Sequence, residues 1–207
     1  MPKVSLQQMR NMPIFEEMEQ PEYVYHMTSR KNAEKILADK RIRVFDDFLC
    51  FFFDDPKWIP IYIYLYNVDK GRMTRGFDGR VHRMPPLDHE DTVVLKLRPR
   101  RKESLVWYRE TADNILTKED KSSGLTLDQY EHIIYLMYKC RLCHYDNLVF
   151  RDDDIEVIPL MEIDAQYPKH TSPDELVSFV KESGLEDDKI SYIEHVHDKM
   201  KKLGYLK

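Results

Sequence analysis

Cysteine, glycine and long apolar runs are all scarce in this chain of 207 residues, and each scarcity excludes something. Three Cys are few and odd in number, which speaks against a disulfide framework and for a reducing compartment. There are six Gly, and no G-x-G-x-x-G follows an expected strand, so a Rossmann dinucleotide site is not supported. The apolar stretch from Trp58 to Tyr66 falls short of the ~18–20 residues that a membrane span needs. Met1 to Gln20 is charged and Met-rich, without the apolar stretch of a signal peptide. Internal repeats and low-complexity runs are absent. These features lead us to expect a soluble cytoplasmic protein with no membrane partner.

Hydrophobic residues make up 42% of the chain and charged residues 33%, a balance that permits a globular core and argues against wholesale disorder. The length suits one domain with a small appendage. The net charge of −5 hides an asymmetry. Between Lys70 and Lys102 ten Lys/Arg stand against four Asp/Glu, a local balance of +6, so the rest of the chain sums to −11. Such a segment is either a solvated loop or a footprint for nucleic acid or a phosphate-rich ligand.

Residue patterns predict strands at Tyr23 to His26, Ile42 to Phe45, Phe48 to Phe53, Thr92 to Arg98 and Leu105 to Tyr108. The almost wholly apolar Phe48–Phe53 run reads as buried on both faces. Asp54-Asp55-Pro56 has the form of a helix start. Ile-Tyr-Ile-Tyr alternation within Trp58–Tyr66 favours a strand. Asn67 to Glu90, with three Gly and two Pro, reads as a long loop or lid. A helix is expected over Leu125–Lys139, capped by Thr126, with Tyr130, Ile133, Ile134 and Met137 on one face. Leu148–Phe150 and Ile155–Ile163 suggest a terminal hairpin across the acidic turn Asp152–Asp154. Two helices follow Pro168, one opened by Ser172-Pro173-Asp174 and closed by Gly184, the other over Asp187–Leu203. The sum is an α+β pattern, not the regular alternation of a doubly wound sheet.

The most informative stretch is Tyr25-His26-Met27-Thr28-Ser29-Arg30-Lys31-Asn32, running into Ala33-Glu34-Lys35-Ile36-Leu37. It reads as strand, polar turn and helix start. A His and a Thr at a strand end, beside unsatisfied helix N–H groups, make a pocket for a polar or anionic ligand. An ordinary half-buried histidine is the structural alternative.

Tyr25-His26-Met27-Thr28, followed by Asn32, resembles the first motif of the ADP-ribosyltransferase superfamily, in particular its DarT-like toxin branch. Phe51-Phe52-Phe53-Asp54-Asp55-Pro56 is similar to the branch's second, aromatic strand, and Val93–Leu97 to its central strand. The resemblance touches residues 23–66, 92–98 and 130–160. It implies split antiparallel sheets with inserted helices, and NAD consumed as a substrate, without a metal. By this resemblance His26 and Thr28 hold the nicotinamide-side ribose, Asn32 bonds ribose or phosphate, and Phe52 and Phe53, flanked by Phe51 and Trp58, wall the ring. ADP-ribose transfer passes through a cation-like sugar, which a carboxylate must stabilise. Three residues compete for that role: Glu156 or Asp152 near the terminal hairpin turn, and Glu131, two residues from the position a DarT-like register selects. Asp146 is a fourth, weaker choice. The family's arginine-bearing loop is missing or shortened, with Arg41 and Arg43 nearest.

The function implied is that of a mono-ADP-ribosyltransferase, a toxin or phage-defence effector acting on DNA or RNA and silenced by a protein partner such as an antitoxin. Arg98, Arg100 and Arg101 would grip the nucleic-acid backbone. Alternatives are a protein-targeting transferase, an NAD glycohydrolase, or a non-catalytic interaction or immunity protein on the same fold. The expected organisation is an N-terminal segment (1–20), the transferase-like domain (21–168) and a helical extension (169–207). Cys140-Arg141-Leu142-Cys143-His144 matches the C-x-x-C-H of haem attachment and offers zinc ligands with His132. A buried, reduced pair is the simpler reading.

Overall fold

The computed structural model describes residues 5–10, 15–44, 49–75, 81–100, 107–110, 129, 132, 135–136, 139–140, 142–170, 172–202 and 204. Its architecture is mixed α+β. Helix α1 (Leu6–Arg10) leads to β1 (Phe15–Met18), then β2 (Val24–Ser29), α2 (Arg30–Asp39), β3 (Arg41–Ile42) and β4 (Leu49–Phe52). After α3 (Trp58–Leu65) come a 3-10 turn (Val68–Lys70), a ribbon of β5 (Arg72–Arg75) and β6 (Val81–Met84), then β7 (Thr92–Leu97) and β8 (Trp107–Glu110). Strands β9 (Leu142–Tyr145), β10 (Leu148–Val149) and β11 (Ile155–Pro159) precede α4 (Leu160–Gln166), α5 (Pro173–Glu182) and α6 (Glu186–Lys202).

Two antiparallel sheets organise the chain. One has the order β1-β8-β9-β4 and the other β11-β7-β2. A single bridge, Tyr25 with Phe53, links β2 to the end of β4 through reciprocal N–H···O bonds of 2.8 Å. β3 pairs with β10 in a small separate ladder.

Strand β7 explains the layering. Val93, Leu95 and Leu97 face one way and Val94 the other, and all four are fully buried. A continuous apolar run of this kind is what a strand covered on both faces requires. Ala33 and Ile36 of α2 cover the first face, together with Phe52, Trp107 and Leu142. Ile59 and Ile61 of α3, Leu160 and Ile163 of α4, and Leu176 and Val180 of α5 cover the second. Each such aliphatic side chain contributes about 1.5–3 kcal/mol by leaving water.

Several expectations need correction. Trp58–Leu65 is a helix, not a strand. Trp58, Ile59, Pro60, Ile61 and Ile63 are all buried, so apolar residues surround the axis and the Tyr alternation carries no strand signal. Pro60 sits in the first turn, where its missing N–H costs nothing. The Asp54-Asp55-Pro56 segment precedes that helix as a separate turn, Asp55 accepting from the Lys57 amide at 2.9 Å. The presumed loop 67–90 carries the 3-10 turn and the β5–β6 ribbon. Leu148–Phe150 and Ile155–Ile163 do not form a hairpin: β10 pairs with β3, β11 pairs with β7, and residues from Leu160 are helical. Strand β9, inside the Cys-rich segment, was not foreseen. Of the expected Leu125–Lys139 helix, Gln129, His132, Tyr135, Leu136 and Lys139 are helical; Thr126, Tyr130, Ile133, Ile134 and Met137 lie outside the described residues. Helices α5 and α6 fall where expected, with Ser172 capping α5 by accepting from the Glu175 amide at 3.3 Å.

Candidate functional site

Residues i and i+2 of a strand share a face, so His26 and Thr28 point the same way from β2, opposite Leu95 and Val93 of β7. The chain then turns directly into α2. Ser29 caps that helix, its Oγ accepting from the Asn32 amide at 3.2 Å. The Asn32 side chain reaches back, its Nδ2 donating to Thr28 Oγ1 at 2.8 Å. His26, Thr28 and Asn32 are therefore brought together, and the signal lay in sequence spacing alone.

The half-buried His26 ring is fixed by its Nδ1, 3.0 Å from the Phe51 carbonyl. A carbonyl only accepts, so Nδ1 carries the proton and Nε2 keeps a lone pair. Burial lowers the His26 pKa below its ordinary value, with the Phe51 bond acting in the other direction. The ring is consequently neutral at pH 7, an acceptor suited to a sugar hydroxyl. Phe52 packs against it at 5.6 Å between ring centroids.

The two expected ring walls separate. Phe52 belongs to the core on the His26 side, edge-on to Trp107. Phe53 points to the other face, where it meets Tyr62 at 5.3 Å. Tyr62 in turn packs on Tyr66 at 4.7 Å. That aromatic pair was missed because its i, i+4 spacing has meaning only on a helix.

The carboxylates are distributed differently from the expectation. Glu156 lies opposite Lys96 in the β11–β7 register, and Lys96 lies opposite Tyr25. This Tyr25–Lys96–Glu156 row occupies the face away from His26. Lys96 Nζ reaches Glu156 Oε2 at 3.0 Å, and this bond leads the influences that raise the Lys96 pKa. Burial raises the pKa of Tyr25, against the effect of Lys96. Asp152 is exposed and ion-paired with Lys40 at 2.6 Å. Asp146 adopts the left-handed conformation (φ 71°), and its carboxylate accepts from the Asn147 amide, a turn-forming role. Glu131 lies outside the described residues. Burial and the Phe51 bond account for the His26 shift, and among the described residues no carboxylate contributes to it.

The two described basic candidates, Arg98 and Arg100, have acidic neighbours. Arg98 lies over the Tyr23 ring at 6.0 Å with Glu22 at 3.9 Å. Arg100 bonds the Asp154 carboxylate and reaches Asp153 at 3.2 Å. The Arg100 bond is the main reason that the Asp154 pKa falls. Arg101 lies outside the described residues. Trp107, on the neighbouring β8, is buried in the core and presents no surface for stacking on a base.

In the C-x-x-C-H segment, Cys140, Cys143 and His144 are all buried, neither cysteine is in a disulfide, and Cys140 Sγ lies 3.6 Å from the Trp58 carbonyl. His144 Nδ1 bonds the Asp146 carbonyl at 2.9 Å, and burial lowers its pKa. Among the described residues, no three His, Cys, Asp or Glu side chains gather as ligands for a metal. No helix among them is long and apolar enough to cross a membrane. Compared with protein-family models, curated proteins and solved structures, the chain matches none.

Proposed function

We propose that this chain is an NAD-dependent protein of ADP-ribosyltransferase type, with split antiparallel sheets as its fold and the His26–Thr28–Asn32 row as its ribose site. One observation carries the proposal: a neutral His26, a Thr hydroxyl and an Asn amide converge where a strand enters a helix, at the junction of two antiparallel sheets. His26 Nε2 accepts from a ribose hydroxyl, and the Thr28–Asn32 pair orients the neighbouring oxygen.

Transfer also needs a carboxylate beside the ribose. Glu156 stands on the opposite sheet face and Asp152 is engaged by Lys40, so the catalytic version rests on Glu131. The acceptor on this proposal is DNA or RNA, with protein as the alternative, and the setting is a cytoplasmic toxin or phage-defence effector with a silencing partner. The test is release of nicotinamide from NAD by the purified protein. His26→Ala and Glu131→Gln should each abolish it, while Glu156→Gln should not.

A second version is favoured by the separation of His26 from Glu156: a module that binds through this fold without catalysis, as an interaction or immunity protein. It predicts no nicotinamide release from wild type under any acceptor.

A further inference from the structure

Outside the His26 site, one titratable cluster stands apart. His89, in the connection between β6 and β7, touches a carboxylate with each ring nitrogen. Nδ1 is 2.6 Å from Asp164 Oδ2 on α4, and Nε2 is 2.8 Å from Asp69 Oδ1 on the 3-10 turn. A neutral imidazole has one N–H and could donate to only one of them; the other contact would set two lone pairs against each other. Two carboxylate contacts therefore describe an imidazolium. Asp164 is mostly buried, its Oδ1 has no hydrogen-bond partner, and Lys169 Nζ approaches its Oδ2 at 3.2 Å. A buried carboxylate in this position depends on its cations. Tyr64, Ile63 and Pro60 of α3, with His170 beyond α4, complete the small hollow around the cluster.

We propose that His89 is a proton-operated clasp, which fastens both feet of the β5–β6 ribbon to α4 when charged and releases them when neutral. Asp69 and His89 flank the ribbon in sequence, so their contact closes its base, and Asp164 anchors that base to the helical layer. The backbone follows the same line: the Leu87 amide donates to the Val68 carbonyl at 3.1 Å. The charged groups around His89 favour the proton on balance. Asp69 and Asp164 face it directly, Lys169 opposes, and Tyr64 and His170 line the hollow. Asp88, Glu90 and Asp91 share its loop, with Asp88 Oδ1 occupied by the Glu90 and Asp91 amides. Burial disfavours the charged ring, yet the Asp69 and Asp164 bonds outweigh it and raise the His89 pKa.

The clasp also reaches α2, because the Asp91 carbonyl accepts the Arg30 amide at 2.6 Å, two residues beyond Thr28. Opening the clasp would therefore loosen the loop that supports the start of α2. This inference does not require NAD to bind there.

The experiment is histidine NMR titration of the full chain, paired with amide hydrogen exchange from pH 5.5 to 9 corrected for intrinsic rates. His89 should titrate above about 6.5. Protection of the Leu87 and Arg30 amides should fall as pH rises through the His89 titration in the folded protein, by up to about tenfold per unit of elevation, while the Leu95 amide stays protected. Asp69→Asn should bring the His89 titration down toward its ordinary value in a protein that remains folded by circular dichroism. His89 titrating at or below about 6.5 in wild type, or Leu87 protection insensitive to its titration, would overturn the proposal.

Discussion

His26 and Glu156 lie on opposite faces of one three-stranded sheet. His26 is opposite Leu95 and Glu156 is opposite Lys96, neighbours on β7 whose side chains leave the sheet in opposite directions. A pleated strand alternates its side chains, so this separation cannot be closed by a rotamer change. An NAD site that uses His26 must take its carboxylate from elsewhere.

Glu156→Gln should accordingly leave NAD turnover, or NAD binding, unchanged within about twofold. Its structural effect should also be small, under about 1 kcal/mol, because the Lys96 pair is exposed to solvent. Nicotinamide release and a urea midpoint check both halves. A large activity loss with normal stability would contradict the assignment of faces.

The start of α2 should be sensitive to its cap. Ser29→Ala removes the acceptor of the Asn32 amide and should cost about 1 kcal/mol in chemical denaturation. Thr28→Val keeps the shape and strands the Asn32 side chain. On the proposed ribose site it should weaken NAD binding more than it weakens the fold, and calorimetry of NAD binding beside the denaturation curve separates the two.

Gly71 cannot accept a side chain. It has φ 72°, and an added Cβ would meet Pro86 N at 2.8 Å and Met84 O at 2.9 Å, both backbone atoms. Gly71→Ala should destabilise the ribbon base by about 2 kcal/mol or more, combining left-handed strain with overpacking. Gly184→Ala, with a similar φ but open space around it, should cost only about 1 kcal/mol. Thermal melts of the two variants side by side provide the check.

The histidines should oppose one another in pH dependence. Burial lowers the pKa of His26 and His144. Above about pH 6.5 both folded and unfolded forms are neutral there; below it the unfolded chain takes up protons that the folded chain refuses. Their contribution to stability is lost as pH falls through that window. His89 has a raised pKa, so its contribution is complete below about 6.5 and is lost as pH rises through its folded value. Denaturant midpoints across pH 5 to 9 for wild type and His89→Gln should diverge most at the acid end.

Cysteine accessibility offers a simple structural test. All three Cys are buried, and burial pushes the Cys50 thiol up to about 12. Alkylating reagents should modify none of them at neutral pH in the folded protein, and all three in denaturant. Mass spectrometry gives the count directly.

Local structure was legible where the signal is local. Ser172 sits one residue before its helix, as expected, because a hydroxyl there answers an orphan amide, whatever the rest of the fold does. The almost wholly apolar Phe48–Phe53 run announced burial on both faces, and Phe52 and Phe53 do lie in different halves of the core. Where partner strands decide, the sequence was ambiguous. Ile61, Tyr62, Ile63 and Tyr64 alternate like a strand, yet α3 buries nearly its whole circumference and becomes a helix. Leu148–Val149 and Ile155–Pro159 look like a hairpin because they are close in sequence, but each pairs with an older strand.

The amino-acid order alone determined that His26, Thr28 and Asn32 would meet, since five or six residues of strand and helix geometry span the distance. It could not determine on which face of the sheet Glu156 would stand. That depends on the pairing register of β11 with β7, in which Glu156 lies opposite Lys96 and not opposite Leu95. It likewise took tertiary packing to bring Asp69, His89 and Asp164 into one cluster, because no short-range rule links residues so far apart in the chain.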